Sequence, residues 1–272
     1  MNNTNRTLSE LTVLSDTART LLNFGARALS KELSHSEDDH FAFMVIAFCF
    51  RQMEHLKSLF ILYKNECFQD MQFIARSMLE GMAYLKWGYR NRDIVPFKWE
   101  SYSWITDYRL AIKNTREGKD LDNVRKEMIV KGLDKYGKLF LKNKRKLIVD
   151  FEQDPFVNYW HIDDQLKKVR SYDLFSDMKA PQLIEVYEDL SDWVHWNISG
   201  IGKITTRELN EFSFNYDDNQ SVKLSFATGL LSSFESFILL ENHLKLELKE
   251  ELNKIQEDYL NNLEEAKKSK GV

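Results

Sequence analysis

Apolar positions recur every three or four residues along most of the chain, the period of one helix face, and no strand-like alternation lasts longer than a few residues. After a polar lead that Thr7 or Ser9 can cap, Leu11, Leu14, Ala18, Leu21, Leu22, Gly25, Ala28 and Leu29 set a first helix with a single core face. The polar turn SHSEDDH leads to a helix over about residues 37–64, whose centre FAFMVIAFCF is apolar enough to be covered on most sides. A turn at Asn65 and Glu66 reverses the chain into a helix over 68–90, making an antiparallel hairpin. Pro96 suits the first turn of a fourth helix, which carries Trp99, Tyr102, Trp104 and Tyr108. Residues 151–160, FEQDPFVNYW, are predicted irregular because Asp154 precedes Pro155. A short helix follows from Asp163 to about Tyr172, and Pro181 opens another, QLIEVYEDLSDWVHWN, with Leu183, Tyr187, Leu190 and Val194 toward the core.

Gly200 and Gly202 end that helix, FSFNYDDNQ is a second irregular stretch, and one long final helix is predicted from near Ser221 to Lys268. In its second half Leu248, Leu252, Ile255, Tyr259 and Leu263 form a stripe suited to a neighbouring helix or to a short coiled coil between two subunits. The pattern therefore predicts an all-α fold. It is a multi-helix bundle of long antiparallel helices with a long C-terminal helix, one domain over 1–272, with a coiled-coil extension at 241–268.

Composition changes this picture in one place. Between Lys113 and Lys146, twelve Lys and Arg face five Asp and Glu, so 113–150 is expected to be a more exposed basic helical segment, able to meet the phosphates of RNA or DNA or simply to face water. Elsewhere 38 basic and 42 acidic residues nearly cancel, leaving a net charge of −4 that names no partner. Only three prolines and ten glycines interrupt the helices. Cys49 and Cys67 lack metal or redox spacing and read as reduced thiols. The N-terminus lacks a signal-peptide layout, and no apolar run reaches the ~18 residues of a membrane span. A cytoplasmic location without membrane contact is expected.

Candidate chemistry begins on the 68–90 helix. Between Asp70 and Lys86 its only charged groups are Arg76 and Glu80, one turn apart in an apolar run, with Phe73, Tyr84 and Trp87 extending their stripe. Buried charges need partners, and Arg before Glu is the poorer order for an i,i+4 pair. Arg76 is thus suited to a group on another helix, or to a phosphate or carboxylate gripped by its planar fork. The second cluster is LSDWVHWNISG, where Ser191 and His195 share a helix face and Asn197 and Ser199 follow. A histidine there can serve as acid or base, or be tethered in the core. Glu188, Asp192 and His195 share a face and His161, Asp163 and Asp164 are close in sequence. A two-metal helical site needs matching Glu-x-x-His elements, however, and only one Asp-x-x-His is present. No metal or other cofactor is expected, and neither phosphate loop nor nucleophile elbow occurs.

Ala75-Arg76-x-x-x-Glu80, followed by Leu190-Ser191-x-x-x-His195 before a Ser/Gly-rich break, resembles the bacterial family known as domain of unknown function 5677. That resemblance implies an all-helical bundle in which the Arg-Glu and Ser-His helices face one pocket. It brings no established activity. A looser likeness is to HEPN ribonucleases of phage-defence systems, from whose Arg-x4–6-His motif this chain departs: Arg51 and His55 are separated by three residues, and Arg76 is followed by Glu80.

Taken with these resemblances, the residues suggest two functions. In the first, the chain is a ligand-binding or interaction protein with a polar pocket of Arg76, Glu80 and His195 bordered by Tyr84, Ser191, Asn197 and Ser199. It would be homodimeric through its C-terminal helix and take RNA or a nucleotide as ligand. In the second, it is a metal-independent ribonuclease of the defence type, with His195 as acid or base and Arg76 stabilising the phosphate.

Overall fold

The computed structural model describes residues 2–119, 122–142, 149–194, 205–208, 211–214 and 219–268. Among these are nine α-helices and one short antiparallel hairpin, β1 (Thr205–Glu208) with β2 (Glu211–Phe214), in the register Thr205 opposite Phe214. The fold is all-α. The hairpin falls where the sequence predicts a helix end and an irregular stretch, its four-residue strands being too short to show alternation.

The chain forms two compact units, residues 1–86 with 174–272 and residues 87–173. The first contains α1 (Asn2–Leu29), α2 (His40–Lys64), most of α3 (Phe68–Arg90), α7 (Pro181–Val194), α8 (Asn219–Leu244) and α9 (Lys249–Lys268). Asp39 caps α2 by accepting the Ala42 N–H at 2.9 Å, three residues later than the sequence suggests. Its carboxylate also takes a 2.8 Å bond from His243 of α8. Burial pushes the Asp39 pKa up, but the Ala42 N–H and His243 outweigh it and hold the carboxyl below its usual value. α2 and α8 share the most extensive helix contact, with Leu56 and Leu59 of α2 and Phe226, Leu230 and Phe237 of α8 fully or nearly fully buried. Gly229 permits that approach: a Cβ there would lie 2.6 Å from Leu59 Cδ1.

α8 is long and apolar enough to cross a membrane, yet 67% of its apolar window is buried inside the unit. It serves as a core helix.

The predicted single C-terminal helix is two. α8 ends at Leu244, Lys245 and Glu247 take positive φ of 54° and 61°, and the Glu241 carboxylate accepts the Leu248 N–H at 3.0 Å. After this reversal α9 packs on α1, where Leu252 and Ile255 are buried and Arg27 pairs with Glu251. The stripe read as a neighbouring-helix or intersubunit surface is thus spent within the chain over these residues.

The second unit contains α4 (Val95–Arg116), α5 (Asn123–Tyr136) and a 3₁₀ turn at Gly137–Phe140. These pack with an irregular loop around Ile105, Tyr108, Leu133, Phe140, Phe156 and Ile162. Gly132 of α5 lies so close to the Trp104 ring that no side chain fits. The helix expected from Asp163 is instead a turn closed by an Ile162–Lys168 bridge, because Asp163 spends its carboxylate on the N–H groups of Gln165 and Lys167, both at 2.8 Å. Helix α6 begins later, at Ser171, and ends at Asp177.

Candidate functional site

Arg76 and Glu80 meet Tyr187 of α7. The Arg76 Nη2 donates to the Tyr187 hydroxyl at 2.8 Å and to Glu80 Oε1 at 3.3 Å, while that hydroxyl donates to the same Oε1 at 2.8 Å. The guanidinium carbon lies 5.0 Å from the Tyr187 ring centroid, a cation–π contact. Phe175 of α6 supports the tyrosine with ring centroids 5.5 Å apart. Phe175 and Leu190 are fully buried and anchor the segment that presents Tyr187.

The 3.3 Å Arg76–Glu80 bond is longer than both tyrosine bonds, as expected for the unfavourable residue order. Arg76 is only 17% exposed and Glu80 32%. The Arg76 Nε is buried without a hydrogen-bond partner among the described residues. A buried donor without an acceptor costs about 1–3 kcal/mol, so the Nε is a donor that the described residues leave unspent.

Of the residues the sequence puts in this site, Arg76 and Glu80 come together, and Tyr84 is half-buried one turn further along α3. Ser191 is turned back on its own helix, its hydroxyl donating to the Tyr187 carbonyl at 2.6 Å. This is the i−4 bond common to helical serine. His195, Asn197 and Ser199, and the Asp192 side chain, lie outside the described residues. The described residue that α7 supplies to Arg76 is therefore Tyr187, which periodicity alone assigns to the core. Its signal in the sequence was its hydroxyl, since a tyrosine on a core face needs a polar partner.

A second arginine, Arg109 of α4, is built differently. Its Nε bonds Asp154 at 2.8 Å, its Nη1 bonds the Tyr102 hydroxyl at 2.6 Å, and its Nη2 reaches the Val157 carbonyl at 2.9 Å, with longer contacts to Phe156 and Asn158. Burial works against its charge, but Asp154 and Tyr102 more than compensate and raise its pKa further. Arg109 is thus a staple for the 154–158 loop. Arg109, Lys113 and Arg116 line a cleft of about 400 Å³ with Asp154 and Glu117. Arg116 also donates to the Glu152 carbonyl at 2.8 Å, and Lys119 pairs with Glu117 at 2.6 Å. Part of the basic segment is accordingly answered by the chain itself.

In the same unit, burial and then Lys168 push His161 down to a pKa of about 4, so it is neutral at physiological pH. Asp163 is committed to its own turn. Among the described residues no three His, Cys, Asp or Glu side chains converge as a metal site.

The model of a family of unknown function, DUF5677, matches residues 42–212. That is more than half the chain, so the chain belongs to this family. No curated protein and no solved structure matches it.

Proposed function

We propose that this member of the DUF5677 family is a ligand-binding protein whose binding group is Arg76, with a phosphate- or carboxylate-bearing small molecule as ligand. The reading rests on the contrast between the arginines. Arg109 spends Nε and Nη2 on the 154–158 loop and Nη1 on Tyr102 of its own helix, whereas among the described residues the Arg76 bonds all leave from Nη2 and its Nε has no acceptor. A planar oxyanion can take the Nε edge of a guanidinium in a two-point bond. Tyr187 holds the plane in place from the ring side, and the long bond to Glu80 is the contact a stronger anion displaces. Glu80 then keeps the Tyr187 hydroxyl as donor, so the carboxylate is not left alone.

Titration calorimetry of the full chain with AMP, GMP, inorganic phosphate and succinate tests this. At least one probe should bind, and Arg76→Gln should weaken it by about 10-fold or more, the scale of one charge-assisted contact. Absence of heat with all four probes, or binding indifferent to Arg76→Gln, would overturn the reading. Incubating wild type and His195→Ala with total RNA checks the other function: cleavage lost in the variant would replace the ligand-binding reading with a metal-independent ribonuclease.

A further inference from the structure

The outer face of α2 carries a stripe that the chain itself does not use. Phe50 is 60% exposed and Ile61 50%, the largest apolar exposures on this helix. Glu54 and Lys57, also exposed, lie between Phe50 and Ile61. The spacings from Phe50 are four, three and four residues, so Phe50, Glu54, Lys57 and Ile61 share one narrow helix face. Opposite them Gln52, Met53, Leu56 and Leu59 are buried. Neither Glu54 nor Lys57 forms an ion pair among the described residues. Beside Ile61 opens a shallow, largely apolar groove of about 600 Å³ between α2 and α3, lined by Ser58, Ile61, Leu62, Asp70, Phe73 and Ile74. Phe73 in its wall is 38% exposed.

The geometry points to a second copy of this chain as the occupant of that face, docked antiparallel on α2 about a two-fold axis that crosses the helix between Glu54 and Lys57. The order apolar, acidic, basic, apolar is self-complementary only when one copy runs against the other. Phe50 then faces Ile61 of the second copy, and Glu54 faces Lys57 of the second copy, and both pairs recur on the other side of the axis. A parallel pairing in register would place like charge against like. Each Phe50 meets the other copy at the mouth of the groove beside Ile61, so knob and hole are present once on each copy, as a two-fold contact requires. An aromatic seated in an apolar pocket, with charged pairs toward the rim, is the usual layout of a binding hot spot. The inference is independent of the Arg76 reading. It moves the homodimer contact expected at the C-terminal helix to α2, since Leu252 and Ile255 of that helix are already covered by α1.

Sedimentation equilibrium of the full chain over micromolar to submillimolar concentrations is the test. Wild type should show a monomer–dimer equilibrium. Phe50→Glu should raise the dimer dissociation constant by about 10-fold or more without lowering the thermal midpoint at concentrations where both chains are monomeric, because Phe50 packs little within its own chain. Glu54→Lys alone should weaken the dimer, and Glu54→Lys combined with Lys57→Glu should restore it, an outcome that a general loss of stability does not produce. A wild-type monomer throughout, a dimer indifferent to Phe50→Glu, or a double charge swap no better than the single one would each overturn the assignment. Transfer of the dimer's sensitivity to Leu260, which is 51% exposed on the C-terminal helix, would return the contact to that helix.

Discussion

Arg76 in the first unit and Arg109 in the second have the same kinds of partner: a tyrosine hydroxyl, a tyrosine ring beneath the guanidinium and one carboxylate. They differ in what lies around them. Arg109 faces an irregular loop and takes up its Phe156 and Val157 carbonyls. Arg76 faces a helix, α7, whose carbonyls are already used, so only side chains reach it and donors remain. Buried polar backbone must be satisfied, and that requirement commits the second arginine of this pair to structure, while the proposed binding role falls to the first.

The largest consequence lies at Arg109. Arg109→Met should destabilise the second unit by about 2–4 kcal/mol, because Asp154 loses its charged partner and the Phe156 and Val157 carbonyls lose a donor at the same time. Hydrogen exchange should show lost protection around residues 154–158. Arg76→Met should cost no more than about 1 kcal/mol, since Tyr187 and Glu80 keep each other. Equal losses in the two variants, read from urea midpoints, would break the contrast.

A smaller effect separates the tyrosines. Tyr187→Phe should cost about 1 kcal/mol or less while weakening ligand binding, because beside the ring contact Arg76 then keeps only the 3.3 Å hydrogen bond to Glu80. Tyr102→Phe should reduce stability by a similar amount and leave binding unchanged. A binding defect in both would show that the arginines are not divided in role.

A separate effect is one of pH. The folded pKa of His161, about 4, lies below its ordinary 6.5, so the unfolded chain binds more protons between those values. The stabilisation from the neutral ring is complete above pH 6.5 and declines as pH falls toward 4. Thermal melts at pH 7 and pH 4.5 should show the loss in tryptophan fluorescence of the second unit, and His161→Gln should shrink the difference. A pH dependence untouched by that substitution would assign it elsewhere.

Much of this molecule was legible in one dimension. Helical periodicity located α2, α3 and α7 to within a few residues, since a helix that buries a face must repeat its apolar positions. The isolation of Arg76 and Glu80 in an apolar run likewise announced a polar centre on α3. Other features left no local mark. The break at Lys245 to Leu248 uses two left-handed residues that are not glycine, and the stripe continues across it, so only the docking of α9 on α1 reveals the reversal. Asp163 turns the start of a predicted helix into a loop by capturing backbone N–H groups, a competition whose winner depends on the surrounding loop.

The sequence by itself determined the all-α class, the helix faces and the residues whose charge needed a partner, because these follow from spacing and solvation along one element. Only the tertiary structure decided that Tyr187 answers Arg76 and that Arg109 is consumed by its loop. It also decided that the face of α2 bearing Phe50 stays uncovered. A partner more than a hundred residues away is chosen by packing in three dimensions, which spacing along the chain does not encode.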